Sequence, residues 1–436
     1  SFVSGNGIFT CNNIWCEGKP TFYFDVNGLE ETVALDMVSI PNGDLLSVIG
    51  DYSGFIHGNI HEFAPIYDPA PGTTGGVNYY SKDPNIMMRV ANTGFYYTTS
   101  GQTGWKKMST TSYSYQNPYC SSCAAQASNE GKCAITKKDG SVRYFVIPGP
   151  GASGIFYSDN NGASWTQVAG TTAAGHIYVD PENDAYVYAG GTDAIYVSSD
   201  YGATFKAMSL SNGGWSRIAI VPGHEGLIYA PCGNSGLKFS TDHGTSFNAI
   251  NKVTTCYAVG AGKGLTENNY TLYIWGKANG NAMGIYRSTD EGATWQRIND
   301  DQHQFGGTGN GKFIVGDWNT YGRFYMSTVG LGVVYGELKE NATASEWKCF
   351  EDNTDCKVEH TGIGESSSES ERFIAYPNPF VESFSLKTIG TYNVTNITGM
   401  EIENGWSDGD AELGTGWPSG FYTIRINGNI IKVIKR

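Results

Sequence analysis

Charge is scarce in this chain of 436 residues: Asp, Glu, Lys and Arg together make up 16%, against the usual quarter. What charge there is leans acidic, for a net of −14. That excludes the broad basic face that nucleic acid or an anionic membrane requires. No run of 18 apolar residues occurs, so no membrane-spanning helix is expected. No long stretch repeats its apolar residues every 3.6 positions, which excludes a helical bundle. The opening SFVSGNGIFT lacks the pattern of a signal peptide, so a removed leader or a longer parent protein is expected. None of the nine cysteines has a histidine at zinc-finger spacing, and CSSC (residues 120–123) lies in a Ser/Asn/Ala-rich loop. No metal site is expected. The close cysteine spacings instead predict local disulfides and an oxidising compartment. The favoured pairs are Cys11–Cys16 and Cys349–Cys356, with Cys232–Cys256 as a longer candidate.

Aromatic residues and glycine are plentiful, at 13% and 58 residues. Together with the shortage of charge, they point to an all-β protein of short strands and tight turns. A repeat organises most of it. The copies read SDNNGASW (158–165), SSDYGATF (198–205), STDHGTSF (240–247) and STDEGATW (288–295), and a worn copy, TTSGQTGW, lies at 98–105. The aromatic positions of the four clear copies are 40, 42 and 48 residues apart, the length of one four-stranded propeller blade. The Asp or Asn caps a turn through its own backbone, the Gly supplies a positive φ, and the hydroxyls bind further turn amides. The aromatic is expected to fold back under the next strand. This pattern is similar to the Asp-box of sialidases and related propellers. Asp200, Asp242 and Asp290 are therefore read as turn residues, not catalysts.

Strand runs and breakers predict a seven-bladed β-propeller over residues 1–360, its blades near 32–63, 77–108, 133–168, 177–208, 215–250, 256–298 and 304–338. TFYFDV (21–26) is a candidate extra strand for the last blade, which would close the ring and remove an exposed edge. Residues 361–372 (TGIGESSSESER) read as a Ser/Glu-rich linker. Residues 373–436 alternate in short runs with Gly and Pro breaks, which predicts a small C-terminal β-sandwich.

Longer segments carry a wider resemblance. WQRINDDQHQFGG (295–307), GRFYMSTVGLGVVYGE, GLEETVALDMVSIPNGDLLSVIGDYSGFIH (28–57) and YTLYIWGKANGNAMGIYRSTDEGATW (270–295) are similar to glycoside hydrolase family 74, the xyloglucanases and related endo-β-1,4-glucanases. The resemblance implies a pair of seven-bladed propellers with the substrate cleft between them. This chain matches the second propeller, so an N-terminal propeller half, in the same or a separate chain, is an expected partner. The substrate implied is a polysaccharide, xyloglucan or another β-1,4-glucan. Inverting hydrolysis uses two carboxylates about 6.5–9.5 Å apart, one as acid and one activating water, and needs no cofactor. The family supplies one carboxylate from each propeller, the second within G-D-x-G-G-F. Here that motif reads Gly50-Asp51-Tyr52-Ser53-Gly54-Phe55. The resemblance puts Asp51 in the catalytic position as general acid, with Tyr52, Gly54 and Phe55 lining the substrate. A raised pKa would suit that role. Ser53 replaces a family glycine and tolerates positive φ less well. His57 either contacts sugar hydroxyls or caps the hairpin. Trp318 stands where the family usually has proline, either as a stacking platform for a glucosyl ring or as a blade residue. Leu331 stands where the family has arginine, which puts the standard cleft contacts in doubt.

The tail resembles the C-terminal sorting domain of the bacterial type nine secretion system, through YPNPF (376–380), NITGMEI (396–402), WPSGFYTIRI (417–426) and the basic end IIKVIKR. That resemblance implies export across the outer membrane of a Gram-negative bacterium, to the cell surface or medium. Two other readings stand beside the hydrolase. One is a propeller that grips β-glucan without cutting it. The other is a sialidase-like scaffold, for which the sequence shows no sign of the required arginine triad.

Overall fold

Short apolar strands, each bounded by Gly, Asn or Asp, fold into successive antiparallel meanders. The computed structural model describes residues 1–4, 7–15, 18–24, 32–109, 131–148, 154–171, 174–191, 193–210, 217–338, 375–376, 380–387, 389–396, 400–426 and 429–435. The chain divides into two units, Ser1–Val358 and Glu359–Arg436.

The described part of the first unit holds seven consecutive sheets like propeller blades. Their innermost strands are Ala34–Ser39, Thr74–Tyr80, Lys132–Lys138, Ala174–Val179, Ala219–Ile220, Val253–Lys263 and Ile314–Gly316. The second to sixth sheets have four strands in chain order, and the first and seventh have three. In the first, Ile56 N–H donates to Pro65 C=O (3.0 Å) and Phe55 bridges Ile66, which begins a fourth. Inner strands from all seven sheets line one central cavity of about 180 Å³. The last sheet meets the first: Trp318 N–H donates to Ser39 Oγ at 3.0 Å, and the Asn319 amide to Ile40 C=O at 3.0 Å. Sheets pack face to face through apolar residues of alternating parity. Ile228, Ala230 and Cys232 face the fourth sheet, while Tyr229 and Leu237 face the sixth. Glycine sets the closest approach: a Cβ at Gly260 would collide with Ile314 C=O of the neighbouring inner strand.

Because the strands alternate in direction, each sheet presents its turns to two faces of the ring. The lower face carries the turns between first and second strands and between third and fourth. The upper face carries the turns between second and third strands and the connections between sheets. All four clear repeats join third strands to fourth, on the lower face. In one, Asp242 Oδ1 accepts from Ser246 N–H (2.9 Å) and Ser240 Oγ–H (2.7 Å), while Gly244 N–H donates to Ser240 Oγ (2.8 Å). Two successive residues take positive φ, not one: His243 (57°) precedes Gly244 (80°). The worn copy occupies the same place, with Thr98 Oγ accepting from Ser100 N–H at 3.0 Å. The aromatic reaches back to the preceding sheet, not forward: Trp165 meets Phe95 edge-on at 5.2 Å.

Charges close the upper end of the central cavity. Arg217 pairs with Asp36, and Lys132 Nζ lies 3.7 Å from the same carboxylate. Lys132 also donates to Leu35 and Gly75 carbonyls, and Arg217 to Gly311 C=O. One knot therefore ties the first, second, third, fifth and seventh sheets. His176 faces it. Burial, then the Arg217 and Lys132 charges, hold its pKa well below 6.5, so it is neutral.

Two further sequence expectations are corrected. Tyr23–Phe24 does not extend the last sheet; it pairs with Gly7–Thr10, which pairs with Phe2–Ser4 in a separate small sheet. Cys232 and Cys256 are free thiols, not a disulfide. Gly233, next to Cys232, pairs directly with Cys256 across two strands, and neighbouring residues point to opposite faces. Cys232 thus enters the core facing the fourth sheet and Cys256 the core facing the sixth. Cys11 is also a free thiol; its expected partner Cys16, and the pair Cys349–Cys356, lie outside the described residues.

In the second unit, the strands Glu401–Asp408, Ile389–Asn396, Gly420–Ile426 and Asn429–Lys435 form one antiparallel sheet. Ala375–Tyr376, Phe384–Leu386 and Ala411–Leu413 form another. Along Gly420–Ile426 every second residue is buried (Tyr422, Ile424, Ile426), and these pack with Phe380, Phe384 and Trp417 into a shared core.

Candidate active site

Asp51 sits in the upper-face turn between Leu45–Ile49 and Gly54–His57. Leu45–Ile49 is buried along its whole length, which fixes where the turn emerges. Gly50 N–H donates to Val33 C=O (2.9 Å) and Tyr52 N–H to Gly50 C=O (2.7 Å). This forces Asp51 into the left-handed region (φ 65°), a conformation Asp adopts at modest cost. Its N–H donates to Thr73 Oγ1 at 2.8 Å. Ser53 is buried, and its hydroxyl donates to Gly72 C=O at 3.3 Å. Gly54 has φ 129°, and a Cβ there would collide with Ser47 C=O; no other residue fits. The turn is rigid, while the Asp51 and Tyr52 side chains are exposed. An exposed carboxylate on a rigid turn can exchange a proton with a bound hydroxyl or glycosidic oxygen.

The other sequence candidates part company with Asp51. Phe55 and His57 run down the strand away from it. His57 Nε2 bonds Ser47 Oγ at 2.9 Å, its ring lies 6.0 Å from that of Phe55, and burial lowers its pKa below 6.5. Both line a cavity of about 270 Å³ between the first and last sheets, with Leu331 and Tyr335. Trp318 lies on the turn that bonds Ser39, at the lower end of the ring. It packs against the core facing the sixth sheet and borders the central cavity. The structure therefore brings Tyr52 and Gly54 to Asp51 and separates Trp318 from them by the depth of a blade.

Sequence reading missed two neighbours. Thr73 and Asn92 border the Asp51 turn, the first in the PGTTGG run (71–76). That run reads only as a turn, and its pairing with residue 51 is non-local. A second upper-face group lies on the connection between the sixth and seventh sheets. Asp300 Oδ1 accepts from His303 Nδ1 (2.6 Å) and His303 N–H (2.8 Å). Burial pushes the Asp300 pKa up, but these bonds outweigh it and hold it below the usual value. Phe305 C=O accepts from Val329 N–H (3.1 Å), which docks this connection on the turn that holds Leu331. Among the described residues no group of three or more His, Cys, Asp or Glu is placed to hold a metal ion.

Comparison with known proteins agrees with this architecture. The chain is 33% identical over 352 residues to the xyloglucanase Xgh74A of Acetivibrio thermocellus, covering 77% of this chain and 39% of that protein. Over most of its length the chain is homologous to glycoside hydrolase family 74 xyloglucanases. A Paenibacillus xyloglucanase is 30% identical over 383 residues, 84% of this chain and 35% of that one. The Niastella koreensis family 74 enzyme superposes with a TM-score of 0.63 at 36% identity, over 76% of this chain and 47% of its own. The Xanthomonas campestris family 74 xyloglucanase gives 0.63 at 26% identity, over 78% and 48%. The chain thus spans less than half the length of each of these relatives. No protein-family model matches it. Two of the segments that resemble family 74, residues 50–55 and 298–307, both reach the upper face.

Proposed function

We propose that this chain is the second-propeller half of an inverting family 74 glucan hydrolase, a complete seven-bladed ring acting on β-1,4 bonds of xyloglucan. The observation that supports this most is Asp51, an exposed carboxylate locked on a rigid upper-face turn, within a chain 33% identical to a xyloglucanase over 352 residues. In this reading Asp51 protonates the leaving glycosidic oxygen, and a carboxylate from an N-terminal propeller activates water on the opposite side of the sugar. Tyr52 offers an exposed ring beside it. The test is Asp51→Asn in the protein assembled with its N-terminal propeller. Xyloglucan cleavage should fall by about 10²–10⁴-fold while binding persists; unchanged turnover removes Asp51 from the mechanism.

The alternative to a hydrolase is a binding module. A lone propeller would grip β-glucan without cutting it. Pull-down on xyloglucan with no reducing ends released supports this reading, and release of reducing ends by the chain alone rejects it. For the second unit we propose a sorting role in export to the cell surface. Residues 373–436 fused to a periplasmic reporter should then carry it outside a type nine secretor, and a reporter retained inside rejects the role.

A further inference from the structure

We propose that the cavity between the first and last sheets binds one neutral pyranosyl unit of a polysaccharide through His57; this rests on the reading of the chain as a β-glucan-active protein and sets a second site apart from Asp51. The cavity exists because one ring is absent. Sheets two to six each send the repeat aromatic back against the sheet before: Trp105, Trp165, Phe205, Phe247 and Trp295. In the first sheet His57 takes the place of the repeat serine, since it pairs with Leu45 as Ser198 pairs with Val187. Seven positions after Ser198 comes Phe205, but seven after His57 comes Ala64. The neighbouring Phe63 is fully exposed. The groove against the seventh sheet is left as a cavity of about 270 Å³.

Phe55 and His57 flank the cavity on the first sheet, and Val333 and Tyr335 on the seventh. Leu331 and Tyr335 are exposed, so it opens to solvent on that side. Its size is close to the lower end of small-molecule sites, about 300–1,000 Å³. Among the described residues no Asp, Glu, Lys or Arg lines it, so it offers no counter-charge to an ionic ligand. Ser47 Oγ holds His57 Nε2 at 2.9 Å. The other nitrogen, Nδ1, has no partner among the described residues and is not shut off from solvent. Burial lowers the His57 pKa, so the ring is neutral at pH 7, and Nδ1 can make one bond, as donor or acceptor according to tautomer. A wholly apolar occupant would leave that nitrogen dry and unpaired, which is costly. A pyranosyl unit gives it a hydroxyl and turns C–H groups toward the Phe55 and Tyr335 rings.

The experiment follows the histidine ring signals of the full 436-residue chain by NMR during titration with xyloglucan oligosaccharides. The His57 signal is the one missing from His57→Gln, and it should shift saturably. Leu331→Trp, which fills the mouth from an exposed position, should raise the dissociation constant about tenfold or more. Val329→Ala, in the same turn but off the cavity, should match the wild type. A His57 signal that does not move overturns the proposal, as does wild-type affinity in Leu331→Trp or an equal loss in Val329→Ala. A shift with indole and none with oligosaccharide also overturns it, and marks a socket for an aromatic side chain of a protein partner. Asp51→Asn should keep the His57 shift, and its loss there overturns a site apart from Asp51. The hydrolytic reading fails separately, by full turnover of Asp51→Asn, and that result leaves the cavity as a sugar site.

Discussion

Asp36 and Arg217 meet across the mouth of the central cavity although 181 residues separate them. Both are largely buried, and Lys132 shares the same carboxylate. Removing one partner of a buried pair leaves the other charge without compensation. Asp36→Ala is expected to cost about 3–5 kcal/mol, read as a lower urea midpoint at unchanged slope. Arg217→Met in the Asp36→Ala background should recover part of that loss. Additive losses would show that the two side chains are not coupled.

The repeat turns predict a second effect, set by acid. Hydrogen bonds from the Ser246 hydroxyl and N–H, and then Ser240, hold the Asp242 pKa down to about 2. At Asp200 and Asp290 burial pulls upward, yet the same bonds win and the shift is again downward. A depressed carboxylate stabilises the fold fully above its unfolded pKa of about 3.9, and the contribution is lost as pH falls through the folded value. Asp242→Ala should therefore lower the unfolding midpoint at pH 7. The gap to wild type should narrow between about pH 4 and pH 2.

His57 predicts loss of stability at milder pH. Burial lowers its pKa below 6.5 while Ser47 holds its ring. The unfolded state takes up a proton first, so stability is full above pH 6.5 and declines as pH drops through the folded value. His57→Gln should flatten the dependence of unfolding midpoint on pH below 6.5. An unchanged slope would assign that dependence to other groups.

Cys232 and Cys256 predict a labelling pattern. Burial pushes the Cys232 thiol up to about 11 and the Cys256 thiol well above its usual value, so neither offers a reactive thiolate at neutral pH. Peptide mapping should find both unmodified by iodoacetamide in the native protein and both labelled after unfolding. Recovery of the two as a cross-linked peptide would contradict their placement in separate cores.

Much of the ring is legible in the repeats alone. The Ser-x-Asp-x-Gly turns sit where their spacing put them, because all their bonds lie within five residues, as between Ser240, Asp242 and Gly244. The direction of the aromatic was not legible, since Trp165 chooses its partner, Phe95, from another sheet. The same limit hid the Asp36–Lys132–Arg217 knot, whose members occupy unremarkable strand ends. At the candidate site, the sequence pointed to Asp51 through the resemblance of residues 50–55 to the family 74 motif; an acid in a Gly-rich turn reads by itself as a turn cap. Thr73 and Asn92 escaped because a Thr in a Gly-rich run and an Asn in a two-residue turn have local explanations that suffice. The Cys232–Cys256 expectation failed for a related reason: proximity along the chain carries no parity, and parity decided which core each thiol entered.

The repeat turns lie on one face and the Asp51, Asn92 and Leu331 turns on the other. The elements that hold each sheet's outer hairpin are thus physically remote from the face proposed to meet a ligand. A change of loop length or sequence above the ring leaves the capping bonds below it intact. Such a scaffold can exchange its recognition loops one at a time, each trial judged on affinity alone. Insertions grafted into the turn at Asn92–Thr93 should therefore be tolerated far better than insertions of equal size at Asp242.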